Sequence, residues 1–151
     1  MAYDRVLLAI GPDDRDSLDT LVDATVDLVE STDATVELLY VFPRDDYETV
    51  MEQMDIDTAT SGLTPDEVAQ RHESVREPAE RLESMGIDYE IRGVSGGNPA
   101  EQILRTIERV DADVAVVGGT KRSPAGKAMF GDHAQRVLLN SSVPVVYVKR
   151  E

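Results

Sequence analysis

Cysteine is absent from the 151 residues, which excludes disulfide bonds and thiolate chemistry. Long apolar runs are absent as well, and none approaches the roughly 20 residues that a membrane-spanning helix needs. The first residues, 1–5, lack the apolar core of a signal peptide. We therefore expect a soluble cytoplasmic protein, without direct membrane insertion and large enough for one domain with its own core.

Basic residues are also scarce. Fifteen Lys and Arg face thirty Asp and Glu, for a formal net charge of −15, and only Lys121, Lys127 and Lys149 are lysines. Repulsion at this charge density opposes compaction in dilute salt and is screened in concentrated salt. We therefore expect a halophilic protein, with an ordinary acidic protein as the alternative. The negative field also argues against a nucleic-acid partner.

Short apolar runs alternate with amphipathic helical patterns along the chain, and this alternation predicts the fold class. The predicted strands are residues 6–10, 34–42, 87–92, 114–117 and 143–148. Because helices separate the strands, the pattern predicts an α/β fold with one doubly wound parallel five-stranded sheet and helices on both faces. We expect a single domain, residues 1–151, with a variable polar insertion at about residues 44–62, of a length used for lids or partner contacts.

The helix after the insertion carries clear local signals. Thr64 should cap it, with Pro65 at the first helical position. The helix should run to about residue 85, and Pro78 should kink or divide it. His72 falls on its polar face and is predicted to be a surface residue without a catalytic role.

A glycine-containing basic loop links the fourth strand to the last helix. It opens with Gly118 and Gly119, carries Lys121 and Lys127, and closes before Asp132. Glycines let the backbone approach an anion, and the N-terminus of the following helix favours negative charge. The alternative is a plain strand-to-helix connection in which the aspartate caps the helix.

The position of this loop in the predicted sheet favours a ligand site. In doubly wound sheets, ligands bind beyond the carboxyl ends of the strands, at the point where the winding reverses. The first and fourth strands are the natural neighbours at that point, and they end near Gly11 and Gly118. The sequence therefore predicts a nucleotide or phosphate site between these two strand ends.

The whole chain resembles the universal stress proteins. The resemblance rests on the order of the elements, on residues 97–101 (Gly-Asn-Pro-Ala-Glu) and on residues 142–145 (Ser-Val-Pro-Val). It implies a flavodoxin-like, adenine nucleotide alpha hydrolase-like sheet of order 3-2-1-4-5. It also implies a homodimer that forms through the last strand, Val143 to Lys149. Such pairing would cover an apolar edge that is otherwise an aggregation hazard.

One branch of that family binds ATP through the pattern Gly-x2-Gly-x9-Gly-Ser/Thr. Gly119 matches the first glycine, Arg122 replaces the second, and Gly131 matches the third after a spacer that is one residue short. Asp132 stands where the family has a phosphate-contacting Ser or Thr. It is a candidate to cap the last helix or to hold a divalent ion, Mg or Mn, on the phosphates. Arg122 and Lys127 are candidates to supply positive charge to the phosphates.

The resemblance also implies nucleoside contacts from the ends of the first two strands. Gly11 occupies the position of an aspartate that contacts the nucleoside in ATP binders, and Asp13 is nearby. Val41 matches a position whose backbone contacts adenine. The complete candidate set for the nucleotide is Ala9, Ile10, Gly11, Val41, Gly118, Gly119, Arg122, Lys127, Gly131, Asp132 and His133.

These patterns predict a cytoplasmic stress-response homodimer that binds an adenine nucleotide, ATP, together with Mg or Mn. No Ser–His–Asp or Cys–His arrangement is recognisable, and no positioned nucleophile accompanies His133. We therefore expect no enzyme activity beyond slow, incidental ATP hydrolysis.

The alternative to a nucleotide-binding protein is a nucleotide-free regulatory or structural dimer that acts through protein contacts. A third hypothesis is an accessory module that works with a membrane transporter.

Overall fold

The protein contains a single five-stranded sheet in which every neighbouring pair of strands is parallel. The computed structural model describes residues 3–30, 32–42, 64–96, 98–118 and 132–148, so the predicted insertion at 44–62 lies outside the described residues. The strands are β1 (Arg5–Ile10), β2 (Thr35–Phe42), β3 (Asp88–Ser95), β4 (Val114–Gly118) and β5 (Val145–Val148). Their order across the sheet is 3-2-1-4-5, which confirms the predicted α/β, flavodoxin-like arrangement.

Helices cover both faces of this sheet. A 3₁₀ helix (Pro12–Ser17) follows β1, and the α-helices are α1 (Leu18–Val29), α2 (Pro65–Arg71), α3 (Glu73–Ser84), α4 (Pro99–Arg109) and α5 (Asp132–Asn140). Helices α1 to α3 pack on the face that carries Val6, Leu8 and Ile10. Helices α4 and α5 pack on the face that carries Leu7 and Ala9. Successive residues of β1 are therefore buried on opposite faces, which explains its unbroken apolar sequence.

Two helix starts carry side-chain caps, and the cap at Thr64 is the one predicted above. The Thr64 hydroxyl accepts a hydrogen bond from the backbone N–H of Glu67 at 3.3 Å, at the start of α2. The Asn98 side-chain oxygen accepts from the N–H groups of Ala100, at 2.9 Å, and Glu101, at 3.3 Å, at the start of α4. Both caps satisfy backbone donors that the helix itself leaves unpaired.

The prediction of a single helix divided at Pro78 is wrong. The break falls at His72, which ends α2 and caps α3, while Pro78 is buried inside α3. The helix restarts at His72 because its extended backbone (φ −75°, ψ 133°) and its ring acceptor provide a new N-cap there. The prediction that His72 is a surface residue is also wrong, since the ring is half-buried and stacks on Tyr40.

Within the described part of the chain, strand β3 forms one edge of the sheet and pairs only with β2. Its Gly93 N–H donates to the Asp66 side-chain oxygen at 2.8 Å, from the first turn of α2. A Cβ atom on Gly93 would lie 2.2 Å from the carbonyl oxygen of Pro65. Helix α2 therefore begins directly against this edge strand, and only glycine permits so close an approach.

One carboxylate is completely buried within the sheet. Glu37, in the central part of β2, has 0% exposure, and its two oxygens accept from Arg5 Nη1 at 3.2 Å and from Arg92 Nε at 2.9 Å. Burial raises the pKa of the Glu37 carboxyl, while Arg92 opposes that rise and the nearby Glu90 adds to it. The cluster ties β1, β2 and β3 together through one buried charge.

Candidate functional site

The strand order places the reversal of winding at β1 and β4. The chain moves outward from β1 to β2 and β3 on one side, and the remaining strands, β4 and β5, lie on the other side. β1 and β4 pair in parallel, with Val6 opposite Val114 and Leu8 opposite Val116. Their carboxyl ends therefore open at the same edge of the sheet, which is where doubly wound folds bind ligands.

Asp14 occupies the space between these two strand ends. Gly11, just after β1, donates its N–H to Asp14 Oδ2 at 2.8 Å, and the Asp14 N–H donates back to the Gly11 carbonyl at 3.1 Å. The other carboxylate oxygen, Oδ1, faces Gly118 at the end of β4, where an added Cβ atom would lie only 2.5 Å away. A half-buried carboxylate thus stands at the centre of the crevice.

Sequence reasoning placed Asp13, Asp14 and Asp16 near the end of β1 and named only Asp13 beside the nucleoside position, so it did not single out Asp14. The available signal was the run Gly-Pro-Asp-Asp, residues 11–14, with proline at the first helical position and Asp14 at the third. An acidic side chain at the third helical position reaches back to the backbone N–H before the helix. That rule points to Asp14, because its carboxylate must turn back toward Gly11.

The predicted nucleoside contacts lie at the same edge of the sheet. Ala9 and Ile10 end β1 beside Leu39 and Tyr40 of β2, and Val41 is the next residue of β2. The candidates Ala9, Ile10 and Val41 are 4%, 1% and 6% exposed, because their side chains belong to the two cores. A ligand can therefore meet mainly their backbone groups, as the family resemblance implies for Val41.

The predicted phosphate and metal contacts fall largely outside the described residues. Gly119, Arg122, Lys127 and Gly131 are in the undescribed segment 119–131. Asp132 and His133 are the first two residues of α5, and the structure describes the helix there but not these two side chains. Within the described ranges, no group of three or more acidic or histidine side chains is placed to hold a metal ion. The roles predicted for all six residues stay predictions.

The start of α5 adds a favourable electrostatic feature to this edge. Helix α5 follows β4 in the chain, so its N-terminus, at Asp132, lies on the carboxyl side of the sheet. The unpaired N–H groups of a helix N-terminus attract anions. The edge therefore combines a hydrogen-bond acceptor at Asp14 with an anion-favouring helix end.

A second concave surface lies elsewhere and has unsuitable chemistry for an anion. A groove between α1 and α3 is lined by Leu18, Asp19, Val22, Glu77, Pro78, Glu80 and Arg81. Its cation, Arg81, is already paired with Asp23 across the two helices. The remaining charged lining is acidic, so a phosphate would be repelled there.

The fold and this edge are those of the doubly wound α/β proteins, a class in which ligands bind where the winding reverses. The chain belongs to the universal stress protein family, whose model matches residues 2–149. A universal stress protein of Mycolicibacterium smegmatis is 35% identical over 79 residues, which span 52% of this chain and 61% of that protein. The family resemblance of the sequence is thereby confirmed.

Solved structures share the fold over nearly the full chain. A universal stress protein in complex with cAMP has a TM-score of 0.68 and 21% identity, and the alignment covers 100% of both chains. An Arabidopsis thaliana family member with AMP bound has a TM-score of 0.64 and 16% identity, covering 97% of this chain and 92% of that one.

The part of this chain that the structure describes holds no helix long and apolar enough to cross a membrane.

Proposed function

We propose that the protein binds an adenine nucleotide at the edge where β1 and β4 end, and that it acts in the stress response through binding. The observation that carries the proposal is the Asp14 carboxylate held between Gly11 and Gly118. Two proteins of the same fold carry cAMP and AMP, and this supports an adenine nucleotide as the ligand.

The chemistry of Asp14 suggests how the ligand would be oriented. An ionised carboxylate is purely an acceptor, so it favours ribose hydroxyls or an amino group and repels phosphate. Acidic side chains contact ribose hydroxyls in other doubly wound folds. The nucleoside would therefore face Asp14 and the Val41 backbone. The phosphates would extend toward the start of α5 and toward Arg122 and Lys127.

We propose ATP with a divalent cation as the physiological form of the ligand. Asp132 would repel a triphosphate unless a cation intervenes, and Mg or Mn held by its carboxylate would reverse that repulsion. We assign no catalytic residue, because no nucleophile paired with a base was recognised in the sequence. Turnover would then be slow and incidental.

Calorimetric titration of the protein in molar salt tests the proposal. We expect measurable heat with ATP and magnesium, and with AMP, at sub-millimolar to millimolar concentration. Absence of heat and of a thermal shift at millimolar ligand would contradict it. That result would favour the nucleotide-free regulatory or structural dimer, alone or with a transporter.

Replacing Asp14 with alanine should weaken nucleotide binding by about tenfold or more, since a hydrogen bond to a charged group contributes about 1.5 kcal/mol or more. Asp14→Asn should bind with intermediate affinity, because the amide oxygen can still accept from Gly11 while the charge is lost. Asp19→Ala removes the same charge from the exposed face of α1 and is the matched control. Equal affinities for Asp14→Ala and Asp19→Ala would show that Asp14 does not contact the ligand.

We further propose that two copies of the chain pair through the last strand, residues 143–149, from Val143 to Lys149. Among the described strands, β5 ends the sheet and pairs with β4 on one side only. Its residues Val145 and Tyr147 are half-buried, and Leu139 on the preceding helix is 75% exposed. An apolar edge of this kind is stabilised by a second copy. Sedimentation equilibrium in molar salt should give a dimer mass, and a monomer at micromolar concentration would contradict the proposal.

A further inference from the structure

The junction between α2 and α3 depends on one histidine ring. His72 Nδ1 accepts the backbone N–H of Ser74 at 3.1 Å, and this bond caps α3. The ring stacks on Tyr40 of β2, with centroids 4.3 Å apart and planes at 29°. Phe42 meets it edge-on, at 6.2 Å and 72°. The ring thus joins the start of α3 to the sheet beneath it.

The capping bond requires a neutral imidazole. An acceptor at Nδ1 has no proton, so the single ring proton must be on Nε2. Protonation would place an N–H at Nδ1, facing the Ser74 N–H, which would replace an attractive contact by a repulsive one. It would also put a positive charge at the N-terminus of α3, the end that the helix dipole already makes positive.

The surroundings of the ring favour the neutral form overall. Among the residues that the structure describes, the charged groups that act on the ring are Arg15, from the 3₁₀ helix, and Glu73, the first residue of α3. Burial and then Arg15 lower the pKa of His72 from its ordinary 6.5, and Glu73 opposes them. The face of the Tyr40 ring would attract an imidazolium, and burial and Arg15 oppose that attraction.

We propose that His72 is a proton-sensitive latch: the neutral ring holds the α2–α3 junction on β2, and protonation at mildly acidic pH releases the first turn of α3. Glu73, in that turn, pairs with Arg15 at 3.8 Å. Arg15 directly follows Asp14 in the 3₁₀ helix. The junction is thus joined to the 3₁₀ helix by one exposed ion pair, and the latch itself does not require a nucleotide.

The sign of the pH dependence follows from the lowered pKa of His72 in the folded state. Above 6.5 the ring is neutral in both folded and unfolded chains, and its contribution to stability is complete. As the pH falls below 6.5, the unfolded chain binds a proton that the folded chain resists. Stability is then lost until the pH reaches the lower folded-state pKa.

His72→Asn separates this titration from the cap, because asparagine is a good N-cap and does not titrate. Between pH 7.5 and 5, the unfolding equilibrium constant of the native protein should rise relative to the variant by up to roughly tenfold per pH unit below 6.5. Ser74 amide exchange, corrected for its intrinsic rate, should accelerate over the same range in the native protein and not in the variant. Identical pH profiles for the two proteins would overturn the proposal.

The protonation of His72 can also be measured directly in the native protein, without any variant at this position. The chain has two histidines, His72 and His133, so two imidazole signals are expected in the NMR spectrum of the native protein, and His133→Gln assigns them. His72 should titrate below 6.5, with the Ser74 amide signal moving at the same midpoint. Titration at or above 6.5 would overturn the proposal, since the folded state would then not resist the proton.

Discussion

Replacing Glu37 with alanine is expected to lower the free energy of unfolding by about 3 kcal/mol, the lower end of the range for removing one member of a buried ion pair, because water can reach Arg5 and Arg92. The side chain is 0% exposed and contacts Arg5 and Arg92 from the two neighbouring strands. Its loss leaves a cavity and two guanidinium groups without their shared partner. Denaturant unfolding at neutral pH in molar salt measures the change.

Glu90→Ala is the matched control for this experiment. Glu90 also pairs with Arg92, at 3.5 Å, but its side chain is 57% exposed. An exposed ion pair contributes about 0–1 kcal/mol, and salt screens it. If Glu37→Ala costs no more than Glu90→Ala, the buried carboxylate does not hold the three strands together.

Replacing Gly93 with alanine should destabilise the fold by about 3 kcal/mol, near the upper end for overpacking. The new methyl group would lie 2.2 Å from the Pro65 carbonyl oxygen and 2.7 Å from its carbonyl carbon, and both are backbone atoms. Helix α2 would have to move away from β3, which would break the Gly93–Asp66 hydrogen bond. Chemical denaturation measures the loss of stability.

Gly11→Ala is the matched control, because Gly11 has an ordinary extended backbone (φ −129°) and an added Cβ would meet nothing closer than 3.8 Å. Where the backbone conformation suits alanine, this change stabilises by about 0.4–1 kcal/mol through the unfolded chain. The two substitutions should therefore have opposite signs. A Gly93→Ala protein as stable as the native one would show that α2 does not press on β3 as described.

Much of the fold could be predicted because its signals are local. Apolar runs separated by helical patterns indicated the parallel sheet, and the family resemblance supplied the order 3-2-1-4-5 that the structure confirms. Thr64 and Asn98 were recognisable as caps from their own side chains and the residues just after them. The position of the candidate site at this edge of the sheet could be predicted from the same topology, because Gly11 directly follows β1 and Gly118 ends β4.

The features that sequence reasoning missed depend on contacts between distant residues. Glu37 lies inside an apolar run, and nothing local shows that Arg5 and Arg92, 32 and 55 residues away, converge on it. His72 has polar neighbours in the chain, yet its ring meets Tyr40, which belongs to a different element. Asp14 is the exception, because its bond to the Gly11 N–H spans only three residues and the capping rule could have predicted it.

The buried charge cluster does not obstruct the candidate site. Glu37 precedes Val41 by four residues along β2, which places it about 13 Å from the carboxyl edge of the sheet at roughly 3.3 Å per residue. Arg5 and Arg92 therefore pair with Glu37 between the strands and not with groups at the candidate site. The acceptor of the crevice is instead Asp14, bonded to the Gly11 backbone.

Binding of an adenine nucleotide between the ends of β1 and β4 can be followed by mapping amide chemical shifts during titration with AMP and then with ATP and magnesium in molar salt. We predict that the largest changes occur at Gly11, Asp14, Val41 and Gly118, with the same binding curve at each. Changes confined to β5 or to the groove between α1 and α3, or no changes at millimolar nucleotide, would contradict it.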